Sequence, residues 1–327
     1  MDALSEVLKT VHLENINCRR FELSAPWGVG FSSFDGVAFF AMIRGSCWLE
    51  VEGLPALLPL VGGDLVVLPK GQKHALRDEP ASSLVEFGSS RGISQECLHL
   101  GSGGLTTSVV HGWFRLEQVA AEPLLTALPR LIVVRGEDKR AVEWLETTMQ
   151  FIAYETAFVR PGRDTVISYL AGILFVQAVR FYTMSQEFGG RCWLRALTHP
   201  DIGVALGLIH QSPDQPWTVA LLAERVGMSR SAFAAEFRQL VGEPPLQYLT
   251  RWRMHKAASL LRLGQASLAQ IAHLVGYESE AAFSKAFKRW MNHSPGSYRQ
   301  TIHTNASNGL PGETISLRHF CTLDNFS

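Results

Sequence analysis

Between Trp217 and Tyr298 the apolar positions follow a helical period twice over. In WTVALLAERVGMSRSAFAAEFRQLVGEPP, residues Val219, Leu222, Ala223 and Val226 recur at helical spacing and stop at Gly227. Ser229 then stands where an N-cap is needed, and Phe233, Phe237 and Leu240 recur at i, i+4, i+7. The order returns in LAQIAHLVGYESEAAFSKAFKRWMNHSP: Leu268, Ile271, Ala272 and Val275, then Gly276, then Ser279 as a cap, then Phe283, Phe287 and Trp290. The first halves align at one offset and the second halves one residue further on, so the second turn is longer by one. Gly242 and Asn292 follow the two Phe-bearing helices, and both tolerate the left-handed C′ conformation. The run PLQYLTRWRMHKAASLLRLG predicts one helix joining two helix-turn-helix units, about 218–241 and 268–291.

Upstream the period changes. From about Cys18 to Val134, short apolar segments (VAFFAMIRG, CWLEVEG, DLVVLP, SLVEFGSS) alternate with Gly, Pro and Asp turns, which predicts an all-β domain of barrel or jelly-roll type. From about Gly136 to Cys192 the pattern is helical again. Val142, Leu145, Met149, Ile152 and Phe158 share one face of a first helix, and Val166, Leu170, Ile173, Leu174 and Gln177 one face of a second, with Pro161 and Gly162 between. Such helices either bury a second face against a partner chain or pack onto the β-domain; the pattern leaves both open. The stretch from Glu187 to Arg195, with Gly189 and Gly190, reads as a flexible joint, and the Asn/Ser/Thr-rich residues beyond Arg299 as a mobile tail.

Composition narrows this picture. A chain of 327 residues, 46% hydrophobic and 18% charged, suits two globular domains. Net charge zero argues against a chain that coats nucleic acid, so any DNA binding has to be local; residues 196–300 carry eleven Lys and Arg against seven Asp and Glu. The five cysteines are scattered without zinc spacing, consistent with a reducing cytoplasm, and no secretory signal is visible. The most apolar run, VISYLAGILFVQAV, is shorter than a bilayer span and is bounded by Arg163, Asp164 and Arg180, so no membrane partner is expected.

With the Phe pairs inward, Ser231, Ala234, Ala235 and Arg238 project from the first Phe-bearing helix, and Ala281, Ser284, Lys285 and Lys288 from the second. Small, hydroxylated and basic side chains are what a helix entering a DNA major groove needs. Arg230, Ser279 and Glu280 at the helix starts complete the candidate DNA-contacting set. In the β-domain, GDLVVLPKGQKHAL spaces Gly63, Pro69, Gly71 and His74 as G-x5-P-x-G-x2-H. Trp27, Trp48 and His74 are candidates for a small-molecule pocket, with Trp27 equally able to plug one end of the barrel. Cys18 beside Arg19 and Arg20 is a candidate redox sensor if those cations lower its pKa; an ordinary small residue is the alternative.

The two helix-turn-helix units, the joining helix with Arg253 and Ala257, the run IAHLVGYESEAAFSKAFKRW and the closing SPGSYR resemble the DNA-binding domain of AraC/XylS transcription regulators. The Gly63–His74 spacing is similar to the second motif of cupins, and MDALSEVLK, FELSAPWG and GDLVVLPKGQKHAL together resemble the cupin-type sensing domain of one AraC/XylS subgroup. The resemblance implies an α+β multidomain protein: a cupin-like β-barrel at 1–135, a helical dimerisation or linker region at 136–195, an all-α DNA-binding domain at 200–301 and a tail at 302–327. It implies a cytoplasmic regulator, expected to activate, with double-stranded promoter or operator DNA, a small-molecule effector, RNA polymerase and a second copy of itself as partners. It also places Ser231, Ala234 and Ala235, and Glu280, Ala281, Ser284 and Lys285, nearest the bases. Members often carry long polar side chains where this chain has Ala234 and Ala235, so the first helix is expected to read by methyl contacts and shape. A cupin metal site would need a His-x-His pair near the strand before Gly45, but Phe39 and Phe40 stand there, so neither a metal nor another cofactor is expected. A metal-dependent cupin enzyme and a constitutive regulator whose barrel only dimerises are the alternatives.

Overall fold

The computed structural model describes residues 4, 13–87, 97–101, 103–116, 124–138, 142–158, 160–185 and 193–307. It divides into two compact units, Val11–Gly190 in one and Arg191–Ser327 with Met1–Thr10 in the other.

The first unit is built on two sheets. Strands β1 (Leu13–Ser24), β3 (Val37–Arg44), β6 (Leu65–Leu68), β9 (Cys97–Gly101), β10 (Thr106–Leu116) and β11 (Ile132–Val134) form one, in the order β11-β6-β3-β10-β1-β9. Strands β2 (Gly28–Phe31), β4 (Ser46–Val51), β5 (Leu58–Val61), β7 (His74–Arg77) and β8 (Val85–Glu86) form the other, in the order β5-β4-β7-β2-β8. The expected barrel is therefore not closed. The rows of hydrogen bonds end at short strands such as β8 and β11, of two and three residues, which cannot bridge one sheet to the other.

Strand β3 explains the unbroken apolar run VAFFAM, because both of its faces are covered. Ala38, Phe40 and Met42 join Phe21, Val29, Phe31, Leu49 and Val109 in the core between the sheets. Val37, Phe39 and Ala41 lie on the opposite face, the side on which Phe114 of β10 meets Phe175 edge to face at 5.5 Å. Phe175 belongs to α2 (Arg163–Met184), which with α1 (Val142–Ala157) packs against the six-stranded sheet. Each such buried phenyl contributes about 1.5–3 kcal/mol relative to exposure.

The helices turn a slightly different face inward than the periodicity predicted. On α1, Leu145, Met149 and Ile152 are buried as expected, but Phe158 lies past the helix end and is 52% exposed. On α2 the buried stripe is Ile167, Ala171, Leu174, Phe175, Ala178 and Val179, while Val166 and Ile173 are exposed. A helix that is apolar nearly all round has no polar side to mark its solvent face, so its sequence does not say which side meets the sheet. At 22 residues α2 is also long and apolar enough to cross a bilayer, contrary to the shorter run read from sequence; here one face of it is packed on protein.

The second unit is helical: α3 (Trp193–Thr198), α4 (Pro200–Gln211), α5 (Val219–Arg225), α6 (Arg230–Val241), α7 (Pro245–Leu263), α8 (Leu268–Leu274), α9 (Glu280–Met291) and α10 (Pro295–Ser307). Two expectations are corrected. The joint cannot extend to Arg195, because Trp193 begins α3, is buried and donates its indole N–H to the Tyr248 hydroxyl at 3.1 Å; residues 186–192 lie outside the described residues. The helical pattern does not stop near Arg299, since α10 continues to Ser307; residues 308–327 lie outside the described residues. Polar residues such as Gln300 and Thr301 carry no apolar period, which hid this helix end from the sequence.

Candidate functional site

The duplicated pattern folds as two matching units. The hydroxyl of Ser229 accepts the amide of Ala232 at 3.3 Å to open α6, and that of Ser279 accepts the amide of Ala282 at 3.2 Å to open α9. Gly227 (φ 70°) and Gly276 (φ 79°) make the turns, and Gly242 (φ 92°) and Asn292 (φ 59°) end the Phe-bearing helices in the left-handed region. Phe233, Phe237, Phe283 and Phe287 are fully buried. From 231 to 240 and from 281 to 290 the sequence of buried, half-buried and exposed positions is the same, so the two helices present equivalent faces. Arg230, Ser231, Ala235 and Arg238 are exposed on α6; Ser279, Glu280, Ala281, Lys285 and Lys288 are exposed at and along α9; Ala234 and Ser284 are half-buried.

Helix α7 holds the two units at a fixed separation, and Arg253 is the fastener. Its guanidinium donates to the carbonyls of Pro213 at 2.6 Å and Gln215 at 2.9 Å, just before α5, and lies over the Tyr277 ring in the second turn. Burial lowers the Arg253 pKa from its usual value, with the charges of Tyr277 and Asp214 acting the other way. At one end of α7, Arg251 pairs with Glu243 at 2.5 Å and covers Tyr248. The hydroxyl of Tyr248 also meets His210 Nε2 at 2.6 Å, and burial pushes its pKa well above that of an ordinary phenol. These side chains make α7 a rigid spacer rather than a linker.

The first unit has a cavity of about 410 Å³, partly open to solvent, lined by Phe31, His74, Phe87, His111 and Trp113 together with half-buried Phe34 and the exposed Asn17 and Arg115. His74 and His111 are each 3% exposed, with ring centroids 5.9 Å apart. The His111 ring stacks on Phe40 at 4.7 Å and on Trp113 at 5.2 Å; His74 stacks on Phe31 at 4.9 Å. Burial pushes the His74 pKa down to about 4 and that of His111 well below its ordinary value, so both are neutral. Gly71, at φ 52°, lets the chain approach the Phe34 carbonyl closely and so aims the strand bearing His74. Among the described residues, no group of three or more His, Cys, Asp or Glu gathers to hold a metal.

The other candidates fall elsewhere. Trp27 lies in the core between the sheets, and Trp48 alternates outward from Cys47 and Leu49 on β4, so neither is brought to the cavity. Cys18 points to the opposite face of β1, beneath the helices; burial pushes its thiol up to about 12, outweighing the charge of Arg163. Its neighbours do not lower it as expected, because Arg20 is engaged with Glu22 and the Ala153 carbonyl, and Arg19 lies over Phe87.

A cupin family model matches residues 2–183, and a helix-turn-helix domain model matches residues 222–301. The chain is 35% identical over 310 residues to the HTH-type transcriptional regulator AlkR of Acinetobacter baylyi, covering 92% of this chain and 99% of that one. It is 35% identical over 303 residues to a putative AraC-like transcription regulator of Streptomyces lividans, covering 92% and 98%. It is 29% identical over 306 residues to the RCS-specific HTH-type transcriptional activator RclR of Escherichia coli, again covering 92% and 98%. The chain belongs to the AraC/XylS family. It is a sequence-specific DNA-binding transcription regulator with a cupin-type domain ahead of its paired helix-turn-helix units.

Within this AraC/XylS protein, His74 is the cavity residue that its sequence motif picks out, whereas Phe31, Phe87, His111 and Trp113 were missed. A signal existed for two of these. In TTSVVHGWF, Val109, His111 and Trp113 share one parity and pair with Met42, Phe40 and Ala38 across β3, so the β10 alternation carries the imidazole inward.

Proposed function

We propose that the chain is an effector-responsive transcription activator in the cytoplasm, with an effector domain at 1–135, helices α1 and α2 that pair with a second copy, and a DNA-binding domain that runs from α3 to α10. In this reading α6 and α9 enter successive major grooves of promoter or operator DNA, with Ser231, Ala234, Ala235, Glu280, Ala281, Ser284 and Lys285 nearest the bases and Arg230, Arg238, Ser279 and Lys288 on the backbone. The carrying observation is that two capped helices, braced by Arg253 on α7, expose equivalent small or basic faces. The effector occupies the cavity that His74 and His111 line, rather than a site built on Trp27 or Trp48. The second copy meets the exposed apolar side chains Phe151, Tyr154, Val166, Tyr169 and Ile173 of α1 and α2. The activating sense is carried over from RclR, which is named as an activator; RNA polymerase as partner is our own extension of that sense.

Affinity for operator and scrambled DNA, measured across a salt series, tests the DNA assignment. Lys285→Ala is expected to cost about 1–3 kcal/mol of operator preference, whereas Arg238→Ala weakens both DNAs alike and reduces the salt slope. Phe287→Ala, in the core, is the control and costs about 3–5 kcal/mol of stability instead. A Lys285→Ala protein with undiminished operator preference would place the reading face on other residues.

A further inference from the structure

The two buried imidazoles say more about the occupant of the cavity than its volume does. The Nδ1 atom of His74 lies 2.6 Å from the backbone carbonyl of Gln72. A carbonyl only accepts, so Nδ1 carries the proton, and in a neutral ring Nε2 is then left as a bare acceptor. That Nε2 is fully buried and has no hydrogen-bond partner among the described residues. Both nitrogens of His111, on the facing strand β10, are buried without partners as well. A neutral imidazole has one donor and one acceptor, so His111 can give a hydrogen bond where His74 can only receive one. A single hydroxyl can serve both rings: its proton goes to His74 Nε2 and its oxygen accepts from the protonated nitrogen of His111, whose other nitrogen stays an unpaired acceptor.

The rest of the wall selects what carries that hydroxyl. Phe31, Phe87 and Trp113 line the space with ring faces and edges, and the Phe31–His111 and Phe87–Trp113 centroids are 4.3 and 6.0 Å apart. Flat ligands suit such walls. Neither imidazole carries charge; Arg115 of the lining is exposed, and Arg19, opposite His111 across β1 and β10, lies over the Phe87 ring. An anionic head placed between the histidines would face two neutral rings rather than either cation directly.

Resting on the reading of this cavity as the effector site, we propose that it takes an uncharged hydroxylated aromatic molecule, a phenol, with the hydroxyl held between His74 and His111 and the ring among Phe31, Phe87 and Trp113. At about 410 Å³ the cavity admits one ring and leaves space for a substituent extending toward Arg115.

Calorimetric titration of the full chain with three probes of one shape tests this: 4-methylphenol, 4-methylanisole and 4-methylbenzoate. The phenol should bind at least tenfold more tightly than the anisole, which keeps the oxygen but loses the donor, and than the benzoate. In His74→Leu the phenol should lose its advantage over the anisole. Equal binding of phenol and anisole to the unmodified chain, preference for the benzoate, or no binding of the phenol would overturn the proposal, and none of these depends on how the variant folds. Promoter affinity is measured separately with and without 4-methylphenol. Selective binding that leaves promoter affinity unchanged upholds the ligand class and overturns the effector reading instead.

Discussion

Two imidazoles inside the sandwich couple the folding of the first unit to pH. His74 has its pKa pushed from 6.5 down to about 4 by burial, with its hydrogen bond to Gln72 acting weakly the other way; His111 moves in the same direction. Between those values the unfolded chain binds a proton that the folded chain refuses. Stability contributed by His74 is therefore fully present above pH 6.5, falls as pH drops toward 4 and levels off below it. At 1.36 kcal/mol per pKa unit, the loss is about 3 kcal/mol. Urea unfolding of the full chain, followed through the β-rich unit at pH 7 and pH 4.5, should show this fall, and His74→Leu should flatten it. An unchanged pH dependence in that variant would mean the ring is not buried neutral. Cys18 shows the same physics in a thiol: desolvation pushes it up to about 12 despite a nearby arginine, which makes it a packing residue rather than a reactive one.

At the level of elements, the two helix-turn-helix turns look alike in sequence and differ in what surrounds them. A Cβ on Gly227 would meet nothing within 4 Å, whereas one on Gly276 would stand 2.6 Å from the Arg253 guanidinium and 2.8 Å from the Asp214 carbonyl. Gly227→Ala should cost only the left-handed backbone strain, about 1–2 kcal/mol. Gly276→Ala should cost more and also weaken DNA binding, because it displaces the Arg253 brace on which the spacing of α6 and α9 depends. Thermal melts with operator-affinity measurements separate the two, and equal effects would show that Arg253 does not set that spacing. These turns were legible because glycine, cap and Phe stripe are local signals, and a repeat states each of them twice. The sheet order, the open edges and the sheet-facing sides of α1 and α2 were not. They depend on pairings between distant segments and on apolar stretches with no polar side to orient them. The cavity was half legible: the His74 motif is local, but Phe31 and His111 meet only through the packing of one sheet on the other.

For the whole molecule, the boundary between the units decides which fragment can act alone. The periodic pattern suggests that a fragment of 200–301 is a complete reading head. The structure adds α3: Trp193, Leu194, Ala196 and Leu197 are buried, Trp193 donates to Tyr248 in the first turn of α7, and the Leu197 carbonyl lies where a Cβ on Gly203 of α4 would stand. Removing α3 strips apolar cover from α7 and leaves the Tyr248 hydroxyl without one of its partners, a loss of several kcal/mol from a small domain of modest core. At the other end α10 runs to Ser307, so a stop at 301 cuts through a helix whose Tyr298 packs on Phe287 at 5.4 Å. A fragment of 191–307 should therefore fold and bind operator DNA as a monomer, and at matched salt it should discriminate operator from scrambled DNA as Lys285 in the full chain does. The 200–301 fragment should melt at a distinctly lower temperature and bind operator DNA more weakly in proportion to the fraction unfolded. Melting curves and gel shifts on the two fragments decide the matter: identical stability would show that α3 is an appendage, and loss of discrimination by the longer, folded fragment would move sequence specificity out of the paired helices.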